Sequence, residues 1–192
     1  MLNRLQNLVI RVSQTWWLYL CVVLLFAGSL LSLLRIGEKF PSYAAGNQPF
    51  DLQNALTPTE VYPQLASWTE SAHQLYHAFT LIDYAFPFFA GLFIAATAAF
   101  AMRVSLPTWY AALTRRNLLP VFMFGTAFDW LENIAALGVI SLYPTELRGL
   151  PIVLVLAKQL KLVCVLSAQA VTLLLLLYAA GNWLTARLRL RR

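Results

Sequence analysis

The chain has 192 residues, of which 60% are hydrophobic and only 11% are charged, and its formal net charge is +6. An ordinary soluble domain has about 25% charged residues, so this composition excludes a water-soluble globular protein. The basic residues stand beside apolar runs, where they act as topology signals rather than as a nucleic-acid-binding surface. We therefore expect one membrane domain over residues 1–192, with no nucleic-acid partner and no cofactor.

Four apolar runs are long enough, at about 1.5 Å per residue, to cross a hydrocarbon core of roughly 30 Å as helices. They cover approximately residues 16–34, 81–102, 118–142 and 151–180. The first run is longer than the apolar region of a signal peptide, which has about 7 to 15 residues, so we interpret it as an uncleaved helix. Short connections between the last three runs predict antiparallel neighbours. The predicted fold is an all-α, four-transmembrane-helix bundle.

The longest polar stretch, residues 35–78, is predicted to form one outer loop between the first two spans. Within it, Thr57-Pro58-Thr59-Glu60 is typical of a helix start, because a Thr cap and a Glu three residues later satisfy free backbone donors. We expect an extramembrane helix from about residue 58. It either ends near Ser71 or continues into the second span.

Arginine is distributed unequally between the two sides of the predicted bundle. The arginine-rich side comprises the N-terminal segment, the connection at 103–117 and the C-terminal tail. Its arginines are Arg4, Arg11, Arg103, Arg115, Arg116, Arg187, Arg189, Arg191 and Arg192. The positive-inside rule makes this side cytoplasmic. We therefore expect both termini on the cytoplasmic side of a bacterial inner membrane, with the basic tail at 184–192 against anionic headgroups.

Five charged side chains lie inside the predicted spans, and Asn133 shares a helix face with two of them. A charge at the centre of a spanning helix costs about 2.5 to 3.5 kcal/mol, so each side chain should face the bundle interior and find a partner. These residues are Asp83 in the second span, Asp129, Glu132 and Asn133 in the third, and Lys158 and Lys161 in the fourth. Their spacing of three or four residues puts those of one helix on one face. Together they predict a ligand-binding pocket in the outer half of the bilayer.

The short connections also predict which of these residues lie at the same depth. Folding the third and fourth helices back near residue 147 places Glu132 level with Lys161. Folding the second and third about residue 110 places Asp83 near the depth of Lys158. Two ion pairs are expected, and Asp129 remains as the acid without a cationic partner. The alternative is that both lysines extend to the outer interface instead of pairing.

Three further features have a packing or metal-binding interpretation. Pro87 is predicted to kink the second span beside the polar residues, and Gly91 and Gly125 are predicted to permit close helix packing. His73 and His77 stand one helical turn apart, which makes them weak candidates for metal ligands. Two ligands without a third do not define a site, so no metal is predicted.

Two segments carry a resemblance to a known group of proteins. Asp83-Tyr84-Ala85-Phe86-Pro87 and Asp129-Trp130-Leu131-Glu132-Asn133, preceded by Phe50-Asp51-Leu52, resemble segments of a group of uncharacterised bacterial four-helix membrane proteins. Their patterns are D-x-x-F/Y-P and D-x-L-E-N in successive spans. The resemblance covers about residues 50–165 and implies a shared architecture and a shared site.

A weaker likeness in layout is to the emopamil-binding and sigma-2 receptor family. In that family, acids within the membrane bind cationic amphiphiles or take part in sterol isomerisation. Here the acids on the second and third spans correspond. The family's histidine within a span is absent, and two lysines stand on the last span instead.

Three functions remain open on the sequence. The first is binding or moving a lipid or small amphiphilic ligand in the charged pocket. The second is an intramembrane enzyme that uses Asp129 or Glu132 as the acid or base on a lipid-like substrate. The third is a structural or assembly subunit, as a homo-oligomer or with a partner subunit, in which the charges only specify packing. Membrane lipids surround the chain in all three.

Overall fold

The computed structural model describes the backbone of residues 2–190 and the side chains of residues 2–188; the predicted tail arginines Arg189, Arg191 and Arg192 lie outside the described side chains. The described backbone is helical and contains no strand, which confirms the all-α prediction for this part of the chain. The helices are α1 (Leu2–Gln14), α2 (Trp16–Lys39), α3 (Val61–Ala66), α4 (Glu70–Ser105), α5 (Pro107–Arg115), α6 (Phe124–Leu142) and α7 (Gly149–Leu190). Short 3-10 turns cover Phe40–Ser42, Phe50–Leu52 and Leu119–Met123.

Three helical segments are long and apolar enough to cross a membrane. They are Trp16–Ser42, Glu70–Ser105 and Gly149–Leu188. α6, which matches the predicted span at 118–142, is not one of them. Asp129, Glu132 and Asn133 all lie on this 19-residue helix and lower its mean hydropathy.

α4 is the central helix of the bundle, since it packs against α1, α2, α6 and α7. Its second half is rich in buried alanine, a small residue that allows helices to approach closely. These alanines are Ala95, Ala96, Ala98, Ala99 and Ala101. The predicted second span, 81–102, is therefore the inner part of a longer helix with neighbours on several sides.

Two glycines set the closest helix approaches beside the predicted polar site. A Cβ atom added to Gly91 would lie 2.6 Å from Thr126 Oγ1, and one added to Gly125 would lie 2.4 Å from Val165 Cγ2. Both distances are far below van der Waals contact. The predicted packing role is confirmed, because any larger residue would force a neighbouring side chain or helix to shift where α4 meets α6 and where α6 meets α7.

Residues 40–69 fold into a compact cap over one end of the bundle. Its core is aromatic: the Trp68 ring centroid lies 5.0 Å from that of Phe40, 4.8 Å from that of Phe50 and 5.3 Å from that of Tyr76 on α4. Tyr62 Oη donates a hydrogen bond to the carbonyl oxygen of Leu147 (3.1 Å). The cap is thus fastened both to α4 and to the turn between α6 and α7.

The helix within the cap is shorter than predicted. α3 begins at Val61 rather than near residue 58, because Glu60 Oε2 accepts hydrogen bonds from Thr57 N (2.8 Å) and Thr57 Oγ1 (2.7 Å) and closes a separate turn before the helix. α3 ends at Ala66, so the prediction that it reaches Ser71 or the second span is wrong. α4 has its own N-cap, Thr69.

Two helices at the opposite end, α1 and α5, were not predicted. α1 packs against α4, and its Val9 and Val12 are buried there. Gln6 Nε2 donates to the carbonyl oxygen of Thr114 (2.5 Å) and to Asn117 Oδ1 (2.9 Å). This side chain therefore fastens α1 to the end of α5.

Candidate functional site

Six buried polar side chains meet between α4, α6 and α7, and they are the six that the sequence predicts. They are Asp83, Asp129, Glu132, Asn133, Lys158 and Lys161, each with 8% or less of its surface exposed. The α6 residues are spaced three or four apart and the α7 residues three apart, so each helix presents its polar side chains on one face. The two faces are turned toward each other. Together with Asp51 of the cap, we call these residues the charged cluster.

Lys161 lies at the centre of the charged cluster. Its Nζ atom is 2.5 Å from Asp51 Oδ1, 2.6 Å from Glu132 Oε2 and 3.5 Å from Asp129 Oδ2. An ammonium group has three N–H donors, so one lysine is shared among three carboxylates. The predicted contact of Glu132 with Lys161 is present. The expectation that Asp129 has no cationic partner is wrong.

Lys158 holds the cap down on the charged cluster. Its Nζ atom lies 3.4 Å from Glu132 Oε1 and donates to the carbonyl oxygens of Phe50 and Gln53, the latter at 3.0 Å. These acceptors, rather than Asp83, satisfy Lys158, so the predicted pair of Asp83 with Lys158 is wrong. Both lysines are buried and point inward, and neither extends to the interface.

Asp83 of α4 is hydrogen-bonded to the side-chain amide of Asn133 on α6. Pro87 has no N–H, so the Asp83 carbonyl oxygen loses the helical hydrogen bond from residue i+4. Asn133 Nδ2 donates to that carbonyl (3.3 Å) and to Asp83 Oδ2 (2.9 Å). Thr126 Oγ1 in turn donates to the carbonyl oxygen of Pro87 (2.7 Å). Asn133 therefore supplies the donor that the Asp83 carbonyl loses at Pro87, and Thr126 adds a second contact between α6 and α4.

Asp51 joins the charged cluster from the cap, on the turn at Phe50–Leu52. Burial on its own would raise the pKa of the Asp51 carboxyl group. The adjacent Lys161 ammonium and its hydrogen bond outweigh that effect and hold the pKa below its ordinary value. Asp51 is therefore an ionised group that ties the cap to α7.

The charged cluster contains more acids than bases. Four carboxyl groups, those of Asp51, Asp83, Asp129 and Glu132, face two ammonium groups. No other lysine or arginine within the described residues forms an ion pair with them. Uncompensated buried charge is costly. The surroundings thus favour a cation or a hydrogen-bond donor and disfavour an anion.

Oxygen atoms of Asp51, Asp129 and Glu132 lie within 4.8 Å of one another, a spacing that would suit a metal ion. The Lys161 ammonium already contacts all three carboxylates, so the positive charge of this side chain occupies the position that a metal ion would take. The weak candidates His73 and His77 lie elsewhere. The His73 ring packs against Trp68 at 5.7 Å between centroids. In the part of the chain that the structure describes, neither histidine joins a third ligand.

A crevice runs between α2 and α7, with α4 as its floor. Its first cavity, of about 330 Å³, has Phe26 of α2 and Leu173 of α7 on opposite walls. Its second cavity, of about 520 Å³, extends toward the start of α2. Phe93, Thr97 and Leu176 line both cavities, so the two adjoin. Each is within the range of about 300 to 1,000 Å³ that is common for ligand pockets.

Asp129 belongs both to the charged cluster and to the crevice. Its Oδ2 atom faces Lys161, whereas its Oδ1 atom is buried and has no hydrogen-bond partner. Among the described residues that line the first cavity, Asp129 is the only charged one. Among the described residues, Asp129 is therefore the member of the charged cluster that also lines the first cavity, and it carries a buried carboxylate oxygen without a protein partner.

Sequence reasoning missed Asp51 as part of this site and assigned it to the outer loop. The available signal was the segment Phe50-Asp51-Leu52, in which two apolar residues flank an acid within a polar stretch. Such flanking indicates a buried turn. What it does not reveal is that the turn lies over Lys158 and Lys161.

Comparisons with known proteins find no matching family model, no similar curated protein and no similar solved structure. The resemblance to four-helix bacterial membrane proteins therefore rests on its short segments alone. Those segments contribute Asp83, Pro87, Asp129, Glu132 and Asn133, which the structure brings together in one place.

Proposed function

We propose that this protein is a four-span membrane protein that takes a lipid or small amphiphile from the bilayer into the crevice between α2 and α7, and holds or moves it there. The observation that carries the proposal is the position of Asp129, which belongs to the charged cluster, lines an apolar cavity and has a carboxylate oxygen without a hydrogen-bond partner. An apolar cavity with one polar group at its end suits a molecule that is mostly hydrocarbon.

The proposed fourth crossing is α6. Its 19 residues measure about 28 Å at 1.5 Å per residue, close to the roughly 30 Å of a hydrocarbon core. Its polar face is turned inward to α4 and α7, and its other face is apolar and exposed. The exposed apolar side chains include Phe124, Leu131, Ile134 and Leu142. Lipid around that face would complete a four-helix bundle.

For orientation, we propose a bacterial cytoplasmic membrane with both termini inside and the cap outside. The arginines of α1, α4 and α5, and Arg187 of α7, support this through the positive-inside rule. Cysteine labelling tests it. With Cys21 and Cys164 replaced by alanine, Asn54→Cys in the cap should react with an impermeant reagent in intact cells. Thr108→Cys on α5 should react only after lysis, and the reverse pattern would overturn the orientation.

A ligand is proposed to arrive from the membrane rather than through the cap. The cap packs its aromatic core against α4, and the lysines of the charged cluster bind its Phe50–Gln53 turn. The crevice, by contrast, is bounded by two helices that both pack on α4, and its mouth faces the bilayer. Asp129, which lines this crevice, is thus the member of the charged cluster that a ligand from the bilayer would reach.

Two pairs of variants test the proposal through copurifying lipid, measured by mass spectrometry after gentle detergent extraction. Ala90→Phe fills the first cavity and should remove the bound lipid, whereas Ala170→Phe, on an exposed face of α7 outside the cavity, should not. Asp129→Asn should change the amount or identity of the lipid. Asp83→Asn makes the same change at a site outside the cavity and should not. Unaltered lipid in Ala90→Phe and Asp129→Asn would contradict the proposal.

The same free oxygen supports a second candidate, an enzyme in which Asp129 acts as acid or base on a lipid-like substrate and Glu132 tunes it through Lys161. Turnover distinguishes the two. An enzyme converts added lipid extract into a product that Asp129→Asn does not form, whereas a binding protein returns its lipid unchanged. A protein that retains no lipid and converts none would instead be a structural subunit, alone or with a partner.

A further inference from the structure

Arg103 lies at the far end of the crevice from the charged cluster. Its Nη2 atom donates to the carbonyl oxygen of Ser13 (3.2 Å), and its guanidinium carbon lies 5.8 Å from the centre of the Phe100 ring. No carboxylate pairs with it within the described residues. A guanidinium group has five N–H donors, so most of those of Arg103 remain without a protein partner although the side chain is partly buried.

The surroundings of Arg103 place it at the depth of lipid headgroups. It lines the second cavity together with Trp16 and Tyr19 from the start of α2. Trp16 is 77% exposed, and exposed tryptophan and tyrosine at the end of a spanning helix mark the boundary between headgroups and hydrocarbon. A lipid in the crevice would therefore have its headgroup beside Arg103.

The two ends of the crevice differ in charge. The end at Asp129 adjoins a cluster with an excess of acids, whereas Arg103 at the other end carries an unpaired positive charge. Pro87, beside Asp129, and Arg103 are separated by about 24 Å along α4 at 1.5 Å per residue. One leaflet of hydrocarbon is roughly 15 Å thick, so the crevice is long enough for an extended acyl chain. An anionic headgroup is attracted to one end only.

We infer that Arg103 binds the phosphate of an anionic phospholipid whose acyl chain lies in the crevice and points toward Asp129. A guanidinium group binds phosphate oxygens through paired, charge-assisted hydrogen bonds. The inference rests on the proposed binding of lipid in the crevice and adds the class of lipid and its direction. The bilayer is the source of this phosphate, since the cavity joins an apolar chain-sized space.

The test compares three probes on the full-length protein in detergent: phosphatidylglycerol, diacylglycerol with the same chains, and inorganic phosphate. Binding is measured by native mass spectrometry. The wild-type protein should prefer phosphatidylglycerol over diacylglycerol by about tenfold, the range for a hydrogen bond to a charged group. Arg103→Gln should reduce this preference to nearly one while diacylglycerol binding persists. Arg115→Gln, at an exposed position outside the crevice, should leave the preference unchanged.

Each outcome separates this inference from the proposed function. If Ala90→Phe removes both lipids but Arg103→Gln keeps the wild-type preference, lipid binding stands and the role of Arg103 is wrong. A wild-type protein without any preference also overturns the inference, whether or not Arg103→Gln folds. If Ala90→Phe affects neither lipid, only annular lipid is present and the crevice proposal itself fails. Equal retention of inorganic phosphate without lipid would show an anion site that needs no acyl chain, which contradicts the inference.

Discussion

The two ends of the bundle are built in different ways. At the cap end, an aromatic core around Trp68 closes over Lys158 and Lys161, and both ammonium groups find partners within the protein. At the end that holds α1 and α5, helices α2 and α7 stand apart and leave cavities. At the closed end, partners within the protein offset the cost of burying the lysines, and the proposed function assigns lipid entry to the open end.

This difference assigns separate roles to residues of one cluster. Lys158, Lys161 and Asp51 hold the cap, so changing them should mainly affect stability. Asp129 contacts the crevice, so changing it should mainly affect binding. The predictions below test this division, beginning with the largest effect.

The largest effect is expected from Lys161→Met. Removing the central ammonium leaves three buried carboxylates around an apolar side chain, and breaking a buried ion pair in this way costs about 3 to 5 kcal/mol. The free energy of unfolding in detergent, followed by tryptophan fluorescence, measures the loss. Lys39→Met, at an exposed lysine of α2, is the matched control. Comparable stability of the two variants would show that the cap does not depend on the charged cluster.

Gly125→Ala should be the next largest. The new methyl group would meet Val165 at 2.4 Å and force α6 away from α7, a form of overpacking that costs about 1 to 3 kcal/mol. Thermal unfolding in detergent measures the loss, and Val165→Ala in the same chain should recover part of it. Gly181→Ala, where nothing lies within 4 Å of the added atom, should cause no loss. Equal behaviour of the two glycines would contradict the close approach of α6 to α7.

A smaller loss of stability is expected from removing Asn133, which donates to the Asp83 carbonyl that has no helical partner at Pro87. Asn133→Ala removes two donors from Asp83 and should cost about 1 to 3 kcal/mol. Pro87→Ala restores a backbone N–H for the Asp83 carbonyl, so Asn133→Ala should cost less in that background, by about 0.5 kcal/mol or more. A double-mutant cycle on unfolding free energies measures the coupling. Strict additivity would mean that Asn133 does not compensate for Pro87.

The smallest predicted effect is a pH dependence of the cap. The folded pKa of Asp51 is lowered, chiefly because Lys161 outweighs the opposing effect of burial. Its stabilising contribution is therefore complete above the unfolded pKa of about 3.9 and is lost as the pH falls through the folded value. The stability difference between wild type and Asp51→Asn should shrink below about pH 4. A difference that grows on acidification would reverse the sign assigned to Asp51.

The inward-facing polar residues were predictable because a charged side chain in a membrane span is costly in contact with lipid and therefore faces the other helices. Asp129 and Glu132 on one helix, and Lys158 and Lys161 on the next, have spacings that admit one common face. Their partners were harder to predict, since residue depth alone does not show that Lys158 reaches carbonyl groups of the cap. The place of Asp51 in the charged cluster depends on the packing of the neighbouring Phe50 against Trp68. A local sequence pattern does not predict such a tertiary contact.

The short helices at the open end escaped prediction for a different reason. α1 and α5 contain 13 and 9 residues, too few for periodicity to stand out beside four strongly apolar runs. Their positions depend on single contacts such as that of Gln6 with Thr114. Arg103 was predicted only as a topology signal, because the sequence does not show that α1 packs beside it and that both line the same cavity.

α7 has a length that the bilayer does not require. Its 42 residues measure about 63 Å at 1.5 Å per residue, whereas a bilayer with its headgroups is roughly 40 to 45 Å thick. Unless α7 tilts steeply, part of it must lie outside the bilayer, and under the proposed orientation we expect that part at the end that carries Arg187. A protease added to that side should shorten α7 without touching the cap, and the cut position would report how deeply the bundle sits in the membrane.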